Sequence, residues 1–290
     1  MSSNPSSVDI DKFIEYLIAE DAADRDITTA LVVDKNIECH AVIEAKEKGV
    51  LCGIDFAEKV FRHIDSSILI TKISQDGAEI SKGDIILDLK GKASVILAGE
   101  RIALNLIQHL SGISTLTAQF VNLVKSTEAV ITDTRKTLPG MRRLQKYAVT
   151  MGGGHNHRMN LADGILIKDN HIKFNEINGL SISNVVKKSR DNSDMSFSSF
   201  FSSKIEVEVD NLDQFREVIS ERPDIILLDN MDIETMKMAV KINNNKALLE
   251  ASGGVTLKNV TAIAETGVDL ISVGALTHSS PALDISLNIL

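Results

Sequence analysis

What this chain lacks settles much of its class. None of its apolar runs approaches the roughly 20 residues that cross a bilayer, so no membrane partner is expected. Its opening, MSSNPSSVD, is without the charged-then-apolar plan of a secretory signal. The two cysteines, Cys39 and Cys52, have neither metal-site spacing nor a disulfide framework around them, and two reduced thiols in a cytoplasmic protein are the simplest expectation. Net positive charge is missing too: 31 basic residues stand against 40 acidic ones, a formal charge of −9, which argues against a nucleic-acid partner.

What is present is an ordinary globular composition, 43% hydrophobic and 24% charged. The 290 residues suffice for one large domain or two ordinary ones with a substantial core. One stretch opposes the acidic background. In DTRKTLPGMRRLQKYAVTMGGGHNHRMNLADGILIKDNHIK, from Asp133 to Lys173, the cations Arg135, Lys136, Arg142, Arg143, Lys146, Arg158, Lys168 and Lys173 face only Asp133, Asp163 and Asp169. Arg142, Arg143 and Lys146 read as a solvated helix face. The pair Arg135-Lys136 follows the strand-like run AVITDT, His157-Arg158 follows a triple glycine, and Lys168 ends the run ILIK. Cations gathered at strand ends describe a pocket for an anion with several negative groups.

In chain order, residues 1–7 read as a disordered tail, and helical spacing of Ile10, Phe13, Ile14, Leu17 and Ile18 predicts a first helix with Asp9 as its N-cap. The runs ECHAVIEAK, GVLCG, ILITKIS and IILDLKGKA, separated by glycine turns, predict a small, mostly antiparallel sheet with a short helix near residues 56–64. From Ser94 the period changes, giving a long helix as far as LSGIST and a second from Thr115 to Lys125. The domain boundary is drawn there: residues 1–114 form a first domain, the antiparallel sheet with helices on one side, and residues 115–290 a second domain.

Beyond residue 128, six strand-like runs alternate with helical patterns: AVITDT, GILIK, KIEVEV, DIILLD, ALLEAS and LISVG. Strands apolar almost throughout belong to a parallel sheet covered by helices. Asp133, Lys168, Glu208, Asp229, Glu250 with Ser252, and Gly274 fall at or just past successive strand ends, the plan of a βα barrel. Six strands instead of eight imply an incomplete, open barrel. The serine-rich stretch 192–203 reads as an inserted surface loop.

Ser252-Gly253-Gly254, running into a helix expected near Leu257, and Val273-Gly274-Ala275 are candidate phosphate cradles at the last two strands. Glu208 and Asp229 end adjacent strands and face one cavity, where Mg²⁺ with a phosphorylated sugar, or the sugar's hydroxyls, would partner them. A structural salt bridge of these acids to Lys168 or Lys136 is the plainer alternative. His157 beside Arg158 reads as a donor to an anion, His171 as a support, and Arg101 by default as a surface arginine paired with Glu100. Together these describe transfer of a phosphorylated sugar onto a polyanionic acceptor, without naming the acceptor.

The blocks LSGIST at 110–115, TRKTLPGMR at 134–142, KYAVTMGGGHNHRMNLADGILIKDNHI at 146–172, KIEVEVDNL at 204–212, IILLDNM at 225–231, EASGGV at 250–255 and ISVGALTHSSPALDISL at 271–287 resemble the quinolinate phosphoribosyltransferases. The resemblance covers nearly the whole chain. It implies that residues 1–114 are an N-terminal α/β sandwich domain and residues 115–290 an open βα-barrel phosphoribosyltransferase domain, in a dimer with shared active sites, any larger assembly being left open. The implied reaction joins quinolinate to phosphoribosyl pyrophosphate with Mg²⁺, giving nicotinate mononucleotide, carbon dioxide and pyrophosphate in NAD biosynthesis. Arg135, Lys136, His157, Arg158 and Lys168 would hold the quinolinate carboxylates and the pyrophosphate. Glu208 and Asp229 would bind ribose hydroxyls or metal, Ser252, Gly253 and Gly274 the 5′-phosphate, and Arg101 would reach into the neighbouring subunit's site. Lys136, Glu208 and Asp229 are thereby the catalytic candidates, and Lys136 the preferred proton source after decarboxylation. The competing readings are a paralogous phosphoribosyltransferase acting on another aromatic acid, and a binding protein that kept the pocket without turnover.

Overall fold

The computed structural model describes residues 7–191 and 204–290; the stretch 192–203 expected as a surface loop, and residues 1–6 of the expected tail, lie outside them. The chain divides into two compact units, Met1–Ala118 with Arg143–Gly153 and Ser280–Leu290, and Gln119–Arg142 with Gly154–Ser279.

The helices that lie wholly or mostly in the first unit are α1 (Ser7–Glu20), α2 (Ile27–Val32), α3 (Ile54–Ile64), α4 (Ala93–Val124) and α5 (Arg142–Met151). Its strands are β1 (Glu38–Ala45), β2 (Gly49–Val50), β3 (Leu69–Lys72), β4 (Glu79–Ile80) and β5 (Ile85–Lys92). β1 lies between β5 and a strand from far downstream, Ile285–Ile289, both antiparallel to it. Ala41, Ile43 and Ala45 of β1 are fully buried, as are Leu87 and Leu89 of β5. α3 buries Ile54, Phe56, Ala57, Val60 and Phe61 as one stripe. Its first turn is tied down by Asp76, whose carboxylate accepts from the amides of Gly53 at 2.8 Å and Ile54 at 3.0 Å.

Three expectations are corrected here. Helix α1 begins at Ser7, so Asp9 lies inside it and is not its N-cap. The two helices expected over residues 94–125 are one, of 32 residues. Gly112, in the LSGIST block where the first helix was expected to end, is a point of close packing: a Cβ there would stand 1.9 Å from the carbonyl oxygen of Pro281. Gly112→Ala is therefore expected to destabilise the protein by about 2–3 kcal/mol, because backbone must shift to admit the methyl; a melting temperature equal to wild type would contradict this packing. Third, Arg142, Arg143 and Lys146 do not share a solvated face. Lys146 is fully buried, and Arg142 turns its Nε to Thr137 Oγ1 at 3.1 Å.

The second unit holds β6 (Val130–Thr132), β7 (Ile165–Ile167), β8 (Ile205–Val209), β9 (Ile225–Asp229), β10 (Leu248–Ser252) and β11 (Leu270–Ser272). Its helices are α6 (Asp169–Ile177), α7 (Ile182–Asp191), α8 (Leu212–Ile219), α9 (Ile233–Asn243), α10 (Val260–Ala264) and α11 (Ala275–His278). All six strands coincide with the runs read from the sequence. They form one parallel sheet in the order β6-β11-β10-β9-β8-β7, open between β6 and β7. Ile225 and Leu270, with Val130 and Leu248 against them, make an apolar plug in its interior. Asn211 and Asp232 cap α8 and α9 with their side chains. Among the described residues no helix is long and apolar enough to cross a membrane.

Candidate active site

Within the second unit, the carboxyl ends of the strands surround a cavity of about 520 Å³. Strand register stacks its wall in layers. Glu206 is level with Ile225, one step deeper than Glu208, Leu227 and Glu250, and Asp229 pairs with Ser252 nearer the mouth. Successive residues of a strand face opposite sides, so Glu206 and Glu208 project from the same face.

Of the eight cations in the basic stretch, only Arg135, Lys136, Arg158 and Lys168 line this cavity, where they meet Glu208, Asp229 and Glu250. The excess of positive charge is smaller than the sequence implied, since Lys168 Nζ is already paired with Glu208. That pairing is the plainer alternative stated above, and it leaves Lys168 half exposed beside a buried acid. His171 supports it from behind: its Nδ1 accepts the Lys168 amide at 2.9 Å.

Arg135 and Arg158 are in a different condition. Arg158 is 93% buried, with one nitrogen donating to the Gly164 carbonyl at 3.2 Å. Burial and the adjacent charge of Arg135 hold it below the usual guanidinium value. The Nε of Arg135 is buried without a hydrogen-bond partner. Two guanidiniums that disfavour one another, one with an unused donor, make a seat for an anion.

Lys136 is exposed; its carbonyl accepts from Thr277 Oγ1 at 2.7 Å, and its Cδ lies 3.3 Å from where a Cβ on Gly274 would stand. Gly274 thus seats the lysine stem and is not among the residues lining the cavity. Gly253 does line it, at φ +91°, and a Cβ there would fall 2.2 Å from Asn230 Oδ1. Asn230 in turn donates to Asp229 at 2.8 Å, so glycine is what lets the ends of β9 and β10 come together. The helix expected near Leu257 begins at Val260, so the glycine turn does not run straight into a helix N-terminus. Arg101 lies on α4 in the first unit, exposed and paired with Glu100 at 2.9 Å, and is not one of the cavity's lining residues.

Reading the sequence placed Glu250 at a strand end without giving it a role and did not name Glu206, yet with His157 they form the most deeply buried ionisable cluster of the site. His157 Nε2 stands 3.1 Å from Glu206 and 3.5 Å from Glu250. Burial opposes a charge on the ring, and the two carboxylates override it and raise its proton affinity. The second ring nitrogen is already used, because Nδ1 accepts the Arg158 amide at 2.7 Å. The ring's proton therefore sits on Nε2, facing the acids. Their excess demand falls on the carboxylates, Glu206 being pushed up to about 7 by burial and by the charge of Glu250. The three ligand atoms lie within 4.8 Å of one another, but a metal would need Nε2 bare, so the ring stands between the two acids as a charge-linked cluster, its closer contact being to Glu206. A signal was available: carboxylates inside parallel strands, where other positions are apolar, need a partner within the sheet.

The sequence matches the N-terminal domain of quinolinate phosphoribosyl transferase over residues 26–111 and its C-terminal domain over residues 113–288. The chain belongs to the quinolinate phosphoribosyl transferase family. Family relatives include the probable nicotinate-nucleotide pyrophosphorylase (carboxylating) of Bacillus subtilis, 39% identical with 96% of this chain and 92% of that one covered. The nicotinate-nucleotide pyrophosphorylase (carboxylating) of Mycobacterium leprae is 41% identical, with 91% of each covered. Among solved structures, the nicotinate-nucleotide pyrophosphorylase of Francisella tularensis superposes with a TM-score of 0.90 at 38% identity, covering 100% of this chain and 99% of that one. That of Ehrlichia chaffeensis gives 0.88 at 40%, covering 96% and 98%. The family's two domains thus account for this chain's antiparallel sheet and its open barrel.

Proposed function

We propose that this protein transfers phosphoribosyl from phosphoribosyl pyrophosphate to quinolinate with loss of carbon dioxide, giving nicotinate mononucleotide and pyrophosphate. The observation that carries it is the Arg135–Arg158 pair, two adjacent guanidiniums without a carboxylate ion pair among the described residues, in a cavity that also holds acids for a sugar. The arginines, with Lys168 at the rim, orient a dicarboxylate ring. Asp229 and Glu208 face the ribose, where their charge stabilises the positive character that develops as pyrophosphate departs. Lys136, exposed with its stem against Gly274, neutralises the leaving group. Bond formation at the ring nitrogen leaves a pyridinium, into which the electrons of the adjacent C–CO₂⁻ bond collapse as carbon dioxide leaves. Lys136 is the proposed source of the proton that then fills that carbon.

Mg²⁺ fits the donor set. Two carboxylates on one cavity wall suit a hard cation that takes the rest of its oxygens from diphosphate and water. Glu208 and Asp229 would hold it, and bound there it would offset diphosphate charge. A dimer sharing its sites belongs to the same reading, supported by Arg101, which is exposed, and by α2, which leaves Ile27, Leu31 and Val32 at 74–80% exposure. A cytoplasmic setting is supported by the free thiols of Cys39 and Cys52, and cell fractionation that finds the protein outside the cytoplasm would end it.

The test is incubation with phosphoribosyl pyrophosphate and either quinolinate or nicotinate, with and without a chelator. Nicotinate mononucleotide should form from quinolinate, and nicotinate should serve very poorly, because one carboxylate leaves a buried guanidinium unpaired, at a cost of several kcal/mol. Comparable kcat/KM for the two acids would overturn the assignment. Product formation undiminished by chelation would remove the metal from it.

A further inference from the structure

The gap in the barrel is crossed without a strand. β6 and β7 are the two edges of the parallel sheet, and residues 154–158 run along the β6 side. The His155 amide donates to Ile131 at 2.9 Å, and the Asp133 amide donates back to His155 at 3.1 Å. The His157 amide then donates to the buried carboxylate of Asp133 at 2.9 Å. Arg158 reaches the other edge through the Gly164 carbonyl, just before β7. From the middle of this crossing the His157 ring extends inward to Glu206 on β8 and Glu250 on β10, on either side of β9.

These acids have little else to serve. Glu206 Oε1 and both oxygens of Glu250 make no hydrogen bond, although Glu206 is 98% and Glu250 fully buried. Burying two carboxylates with so few partners is costly, and packing alone would favour apolar side chains such as neighbouring Ile225 and Leu248. What they grip is a ring whose far nitrogen holds the backbone of the next residue. Turning the imidazole away would release the Arg158 amide, and with it the guanidinium in the cavity.

We infer that Glu206 and Glu250 are positioning residues: through the His157 ring they fix the segment that crosses the open edge, so that Arg158 stands where a substrate carboxylate binds. This rests on the quinolinate reading above and says which residues give that reading its selectivity. The substitutions Glu206→Gln and Glu250→Gln keep shape but weaken the grip on the ring. Each should raise KM for quinolinate by about tenfold, within the range that coupled neighbours show, while KM for phosphoribosyl pyrophosphate stays near wild type and kcat falls far less. In an Arg158→Ala background the same substitutions should add almost nothing, because the group they position is gone.

Equal rises in both KM values, a fall confined to kcat, or losses that add fully to Arg158→Ala would overturn the inference and leave the acids a structural part of the core. If glutamine at the deeper position 206 prevents folding, as circular dichroism would show, Glu250→Gln at the cavity wall carries the same test. Absence of turnover in wild-type protein would count against the quinolinate reading itself, which separates the two failures.

Discussion

Replacing Arg158 with alanine is expected to raise KM for quinolinate by about 100-fold, the effect of removing one partner of a buried charge pair, with a much smaller change in kcat. The guanidinium is buried, anchored on Gly164 and beside Arg135, a place where it can grip a carboxylate equally in the ground and transition states. Lys136→Ala should behave oppositely. Lys136 is exposed, with only its stem packed near Gly274 and its carbonyl held by Thr277, so its ammonium is free to follow charge that moves during the reaction. Loss of such a group lowers kcat by roughly 100-fold or more and changes KM little. Steady-state constants for the two variants, measured against quinolinate, decide the matter. The reverse pattern would exchange the roles proposed for the two residues.

A mixture of Arg101→Ala and Lys136→Ala subunits should recover activity that neither variant has alone. In the proposed dimer Arg101 serves its neighbour's pocket, so a mixed dimer has one pocket with both defects and one with neither. Random reassortment makes about half the dimers mixed, which returns roughly a quarter of wild-type activity, because a twofold interface pairs the chains reciprocally. The test is to co-express or refold the two variants together and assay the mixture, with exchange confirmed by mass tags. No recovery despite exchange would return Arg101 to the surface role that its contact with Glu100 describes.

The parts of the fold that were legible in the sequence are those governed by period. All six parallel strands announced themselves as short apolar runs between helical patterns, and the residues at their ends led to Lys168, Glu208, Asp229 and Ser252 on one cavity wall. What escaped was decided by partners distant in sequence. The LSGIST block looks like the end of a helix until Pro281 is placed against Gly112. Lys146 looks like surface because lysine usually is, yet it is buried. Glu206 looked like a strand residue of no special standing and Glu250 like one more polar residue at a strand end, since nothing local shows that His157 arrives between them. The glycine at 253 was legible as a turn, but its necessity comes from the side chain of Asn230, just past the end of another strand.

The place of the strand Ile285–Ile289 beside β1 bears on how this chain is made. Glu44 and Asn288 meet across that pairing although 244 residues separate them, so the entire parallel sheet is translated while one side of β1 still has no neighbour. An open strand edge of this kind, carrying Val42, Ile43 and Ala45, is a template for pairing with other chains. At ribosomal rates of about 5–20 residues per second, it stays uncovered for tens of seconds. During that interval the edge of β1 is open to pairing with other chains, even though most residues of its sheet are the first to emerge.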